Sequence, residues 1–116
     1  RQQDRGLPAA PNRIGFVGDI VVSRLCGRPA QDGTSCSLTL LYNPDRRDYD
    51  PDLLVRLGVS SAQLPALLSA REAAGGLLPS FAQETGLRAG IPVSAAVHDQ
   101  YTAALAAGAV QPGTVM

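Results

Sequence analysis

Between Gly90 and Gly108 the chain passes from an apolar run of extended character into a helical pattern, and this change of period constrains the fold more than any other feature. Ile91-Pro92-Val93-Ser94-Ala95-Ala96-Val97 predicts a strand over 91–97, and the residues from Asp99 to Gly108 predict the helix that follows. A strand that hands over directly to a helix is the building unit of an α/β domain. Asp99 stands at the handover, between His98 and Gln100. A carboxylate there sits on rigid scaffold and faces the crevice at the strand's carboxyl end, where α/β folds keep their ligand sites. The helix start adds partial positive charge and unpaired N–H groups, which favour the ionised form that accepts a substrate proton.

Upstream, glycine and proline punctuate the chain into short elements. Residues 1–11 are polar and proline-punctuated, as in a linker or disordered end. Ile14, Val17, Val21 and Leu25, with Phe16 and Ile20 beside them, predict a helix over 13–25, with Asn12 as its cap and Gly27 as its stop. A short helix is expected at 36–41. Asp50 followed by Pro51 is a helix start, with Gly58 as the stop. Ser60 and Ser61 predict a further helix through Leu68, broken by Pro65. Gly75-Gly76-Leu77-Leu78 reads as a short extended piece, and Pro79 opens a helix that Gly86 ends.

A chain of 116 residues supports one small domain. Its 45% hydrophobic residues include only two Phe and three Tyr, so the core must come from Ala, Val, Leu and Ile, which suits helix-on-sheet packing. All ten basic residues are Arg, balanced by ten acidic ones, and no basic stripe exists to bind nucleic acid. Without lysine there is neither Schiff-base chemistry nor a P-loop lysine. Cys26 and Cys36 form no disulfide framework and no metal-ligand spacing, which suggests free thiols in a reducing, cytoplasmic setting. No apolar run reaches the roughly 20 residues that cross a bilayer, so no membrane partner is expected. The chain begins at Arg1 and stops just after a Pro112-Gly113 turn, ends that suggest a piece of a longer protein.

Several other sites compete for a chemical role. Asp32-Gly33-Thr34-Ser35 copies a phosphate-binding motif, but that motif needs a preceding apolar strand, and Gly27-Arg28-Pro29-Ala30-Gln31 does not read as one. A polar turn is expected. Asp45, Asp48, Asp50 and Asp52 hint at a calcium loop yet lack its central glycine and distal glutamate, so a solvated turn with a helix cap is expected and no metal site. Arg46-Arg47 reads as a solvated pair. Cys26 is expected to pack at a helix end, because no base partner activates it. His98, the only histidine, is not expected to face its neighbour Asp99 as a dyad partner. Asp99 itself also suits a plain helix cap. A small hydrolase finds little support, since no serine sits in a nucleophile elbow.

The order of these segments resembles the middle of the FGGY family of carbohydrate kinases. The resemblance rests on Gly18-Asp19-Ile20-Val21-Val22-Ser23-Arg24-Leu25-Cys26-Gly27, on Tyr49-Asp50-Pro51-Asp52-Leu53-Leu54 and Leu57-Gly58-Val59, and on Gln63-Leu64-Pro65. Its most specific parts are Thr85-Gly86-Leu87-Arg88-Ala89-Gly90-Ile91-Pro92-Val93, His98-Asp99-Gln100 and Gly108-Ala109-Val110-Gln111-Pro112-Gly113. It implies an α/β, ribonuclease-H-like fragment of an actin-like ATPase domain, mostly helical with one or two strands. Residues 12–116 would be part of the N-terminal sugar-binding domain of an enzyme that phosphorylates a sugar or polyol with ATP and Mg²⁺. By the same resemblance Asp99 is the catalytic base toward the sugar hydroxyl, Gln100 contacts the polyol, and His98 is a lesser candidate for substrate contact. The partners implied are the sugar and the remainder of the kinase chain with its ATP-binding domain, and a homodimer is compatible with the family. The family's aspartate-glycine-threonine phosphate motif and Gly-rich segment are absent, so the isolated chain is expected to be inactive. By the resemblance, many members have glycine at Ala95 or Ala96 and again at Ala106, and an added methyl there is expected to narrow the sugar pocket. A non-catalytic binding or regulatory module on the same fold is the alternative.

Overall fold

The computed structural model describes residues 12–69 and 71–114, so the expected linker at 1–11 lies outside the described residues. Five helices, α1 (Val17–Cys26), α2 (Gly33–Ser37), α3 (Pro51–Leu57), α4 (Pro79–Thr85) and α5 (Asp99–Ala106), alternate with six short strands. These are β1 (Ala30–Gln31), β2 (Tyr42–Asn43), β3 (Asp48–Tyr49), β4 (Ala66–Leu67), β5 (Ala73–Gly76) and β6 (Pro92–Ser94). Helix predominates, as expected for an α/β fragment, but the strands are more numerous and shorter than the one or two anticipated. They form three pairs: β1 parallel to β4, β2 antiparallel to β3, and β5 antiparallel to β6.

Two apolar clusters hold these pieces. Val22 of α1 packs with Ala30, Ala74 and Ala95, so that α1 lies over β1, β5 and β6. Gly18 permits that approach, because a Cβ there would sit 2.7 Å from the Ala96 Cβ. The second cluster joins Cys36, Tyr49, Leu54 and Leu64, binding α2 and α3 to the β2–β3 hairpin. Between the clusters runs a buried polar bridge. Gln31 Nε2 donates to the Tyr49 hydroxyl at 3.0 Å, which donates in turn to the Pro65 carbonyl at 2.9 Å. Burial pushes the Tyr49 phenol up to about 12, so it remains an O–H donor.

Several element boundaries depart from the periodicity. The first helix begins at Val17 rather than Arg13, because the Asp19 carboxylate accepts the Phe16 N–H at 2.7 Å and fixes the start there. Asn12 is not the cap; its carbonyl accepts from Gln63 Nε2, and the Ile14 N–H donates to the Gln63 carbonyl, holding this segment extended. Gly27 ends α1 as expected, with φ at +81°. The helix expected at 36–41 is instead α2, which Asp32 starts three residues earlier. The helix expected to run through Leu68 stops as a 3₁₀ turn at Ser61–Gln63, and Pro65 diverts the chain into β4. Asp50 and Pro51 open α3, and Pro79 opens α4, as the capping signals require. Among the described residues no helix is long and apolar enough to cross a membrane.

Candidate functional site

The expected strand over 91–97 is realised in two pieces, β6 and a single parallel bridge between Ala96 and Gln31. The Ala96 N–H donates to the Ala30 carbonyl at 3.0 Å, and the Ala96 carbonyl receives the Asp32 N–H at 2.9 Å. On its other side β1 pairs with β4 in register Ala30 to Ala66 and Gln31 to Leu67. Three parallel segments therefore end side by side, delivering Asp32, Leu68-Ser69 and His98-Asp99 to one edge, the usual place for a ligand crevice in α/β folds.

Asp99 is the first residue of α5, and the capping position belongs to His98. The carboxylate is 93% exposed. Its Oδ1 accepts the Gln100 N–H at 2.8 Å. Asp99 thus presents an open carboxylate at the first turn of α5. Gln100 is also exposed, and its amide carries both a donor and an acceptor. His98 is more enclosed, at 19% exposure, and its ring meets that of Tyr101 edge to face at 6.1 Å.

Contrary to expectation, His98 and Asp99 do face one another, with Nδ1 lying 3.3 Å from Asp99 Oδ1. The capping geometry turns the imidazole back over the first turn, where Nδ1 also lies 3.3 Å from the Gln100 N–H. One nitrogen cannot accept from that N–H and donate to the carboxylate at once. With Nδ1 bare His98 caps the helix, whereas with a hydrogen on Nδ1 it donates to Asp99.

The turn at Asp32-Gly33-Thr34-Ser35 is the feature that sequence reasoning missed. A strand does precede it, because Ala30 and Gln31 are completely enclosed between β4 and Ala96 even though their flanks are polar. The turn nonetheless does not fit a phosphate. The Asp32 carboxylate, only 4% exposed, already fills the α2 terminus by accepting the Ser35 N–H at 3.0 Å and the Thr34 hydroxyl at 2.7 Å. A second anion would meet that charge. This turn thus offers no seat for a nucleotide's phosphates, and among the described residues no His, Cys, Asp or Glu cluster suits a metal ion.

Beside the turn lies a cleft of about 500 Å³, whose polar lining includes Thr34, Ser37, Tyr42, Arg47, Glu72 and Tyr101. Arg47 occupies the left-handed region with φ at +53°, at the tip of the β2–β3 hairpin, so it is part of the cleft wall rather than merely half of a solvated pair. Gly33 is pressed against Tyr42, where a Cβ would come within 2.8 Å of the hydroxyl. The Ser69 N–H, which Glu72 accepts at 2.8 Å, holds its carboxyl below the ordinary value. Asp99 does not line this cleft; α5 reaches it through Tyr101. The Ala95 methyl packs in the cluster with Val22, the Ala96 methyl lies against Gly18, and Ala106 is exposed. Of the acidic set, Asp50 caps α3 through the Asp52 and Leu53 N–H groups, and Asn43 folds the hairpin loop by accepting from Asp45 and Arg46. Cys26 ends α1 as expected, its thiol 3.7 Å from the Arg28 carbonyl.

The model of the N-terminal domain of the FGGY family of carbohydrate kinases matches residues 1–106. The chain belongs to that family. It is 34% identical over 101 residues to the L-fuculokinase of Escherichia coli K12, covering 87% of this chain and 21% of that protein. It is 35% identical over 106 residues to a probable L-xylulose kinase of Pasteurella multocida, covering 84% and 22%. Among solved structures, a xylulose kinase from Brucella ovis superposes with a TM-score of 0.79 at 27% identity, over 88% of this chain and 21% of the other. A carbohydrate kinase from Novosphingobium aromaticivorans gives 0.63 at 33% identity, over 77% and 19%. The fold of this FGGY segment is thus that of the sugar kinases, and it spans about a fifth of the length of the curated relatives it matches.

Proposed function

We propose that this segment supplies the general base of an ATP-dependent carbohydrate kinase, with Asp99 accepting the proton of the sugar or polyol hydroxyl that is phosphorylated. The observation that carries this reading is the open Asp99 carboxylate at the first turn of α5, in a chain of the FGGY family. Phosphoryl transfer passes through a loose transition state, so a protein chiefly positions reactants and stabilises charge, while a carboxylate orients the hydroxyl and finally takes its proton. Asp99 sits on a helix start that fixes its direction. Gln100 hydrogen-bonds sugar hydroxyls through its amide, and His98 stands behind the pair and shapes its conformation. In this reading residues 12–116 are part of the sugar-binding domain, the rest of the parent chain binds ATP with Mg²⁺, and the whole is a cytoplasmic enzyme that acts on a free sugar and needs no nucleic acid or membrane. In this reading the isolated chain, about a fifth of the length of its relatives, is inactive without the rest of the kinase.

Steady-state kinetics of the full-length enzyme on a panel of ketoses, deoxyketoses and polyols, with wild type beside Asp99→Asn, test this. Turnover that collapses in the variant is the expected result. Equal rates in both proteins would remove Asp99 from the chemistry. No turnover by the wild type on any substrate would favour the non-catalytic module.

A further inference from the structure

We propose that the Asp32–Ser35 turn is a two-point clamp that aims the Asp99 base, with Thr34 as its key positioning residue; this rests on the reading of Asp99 given above. Two points on the backbone that leads into α5 are held by this one turn. The first is the Ala96 carbonyl, which receives the Asp32 N–H at 2.9 Å and the Ser35 hydroxyl at 3.2 Å. The second is the His98 N–H, which donates to the Thr34 hydroxyl oxygen at 3.2 Å. Two fixed points two residues apart define a direction, and Asp99 leaves along it.

The chemistry of the turn also fixes which way each bond runs. Asp32 has a buried carboxylate that can only accept, so the Thr34 hydroxyl must donate its proton to Asp32 Oδ1 at 2.7 Å. That leaves a lone pair of the hydroxyl for the His98 N–H. The same Oδ1 accepts the Ser35 N–H at 3.0 Å and so locks the turn to α2. Charge-assisted bonds to a carboxylate are the stronger kind, and the buried end of the chain therefore anchors the exposed end. Helix α5 has no buried residue of its own. Within this segment the tether at its start is therefore what orients it. The His98–Tyr101 ring contact is confined to the same first turn.

The test uses the full-length enzyme with Thr34→Val, which keeps the shape and removes the hydroxyl, and Thr34→Ser, which keeps the hydroxyl. Thr34→Ala serves if the extra apolar bulk of valine disturbs the turn. Expected are a fall in kcat of roughly tenfold for Thr34→Val, as a base held out of line loses alignment, and a sugar KM within about twofold of wild type. Faster hydrogen exchange in the peptide covering residues 96–100 should accompany the loss, and Thr34→Ser should restore both. Unchanged exchange in Thr34→Val and Thr34→Ala would overturn the clamp, whatever the activity. Raised exchange with unchanged kcat would overturn its positioning role, as would a Thr34→Ser enzyme as slow as Thr34→Val. A wild type without turnover would overturn the reading of Asp99 and the catalytic purpose of the clamp with it, while exchange would still decide whether the tether exists.

Discussion

Asp32 and Asp99 follow two parallel backbone segments joined by the Gln31–Ala96 bridge, and each stands at the start of a helix, yet their carboxylates have opposite surroundings. Asp32 is buried, and its Oδ1 accepts from a backbone N–H and from a hydroxyl. Asp99 is open to solvent, accepts the N–H of the next residue and lies 3.3 Å from His98 Nδ1. Residue type and local position are shared, so neither separates scaffold from chemistry. What separates them is whether the protein itself fills the acceptor sites. A carboxylate saturated by its own fold holds structure, and one left open to solvent is available to a ligand.

The largest effect that this contrast predicts is on turnover. Asp99→Asn in the full-length enzyme should lower kcat about a hundredfold or more, the usual scale for loss of a general base, and leave sugar affinity within a few-fold. The thermal midpoint should stay near that of wild type, because the side chain is exposed and surface changes shift stability by about 0.5 kcal/mol or less. Asp32→Ala should behave in the reverse sense for folding. It removes a cap and leaves a hydroxyl and an N–H of the turn without their partner, costing about 1–3 kcal/mol. Urea midpoints of the two variants measure this directly. An Asp32→Ala protein as stable as Asp99→Asn would break the comparison.

Much of the open half of this picture was legible in the sequence. The switch from extended to helical period placed Asp99 at a strand end, and the Asp50-Pro51 and Pro79 signals placed α3 and α4, because caps and proline act locally. The clamp was not legible. Its strand, β1, is two residues long and reads as polar turn, since Gln31 is buried by pairing with Leu67 and Ala96, far away in sequence, rather than by apolar character of its own. The start of α1 escaped for a similar reason: Asp19 reaches back to Phe16 and overrides an apolar period that continues upstream to Ile14. Local signals predict local structure, whereas contacts 60 residues apart, such as Thr34 with His98, leave no periodic trace.

A second pair of aspartates sharpens the contrast through pH, with a smaller effect. Burial raises the Asp19 carboxyl above its ordinary value, the Phe16 N–H opposing only in part. The Leu53 N–H and then the Asn43 amide hold Asp50 below its ordinary value. The signs therefore differ. As pH falls, the native state takes up the Asp19 proton before the unfolded chain does, so this residue adds stability on acidification through its raised value. Asp50 does the opposite: its contribution is present above the ordinary carboxylate value and is lost as pH falls through its lowered one. Asparagine at either position keeps an acceptor oxygen and removes the charge. Relative to wild type, Asp19→Asn should be the more stable protein at pH 7 and Asp50→Asn the less stable. Both differences should shrink toward pH 3, as measured by urea midpoints across the range. Differences of the same sign in the two variants would mean that enclosure, the property that separates Asp32 from Asp99, does not govern how this fold uses its carboxylates.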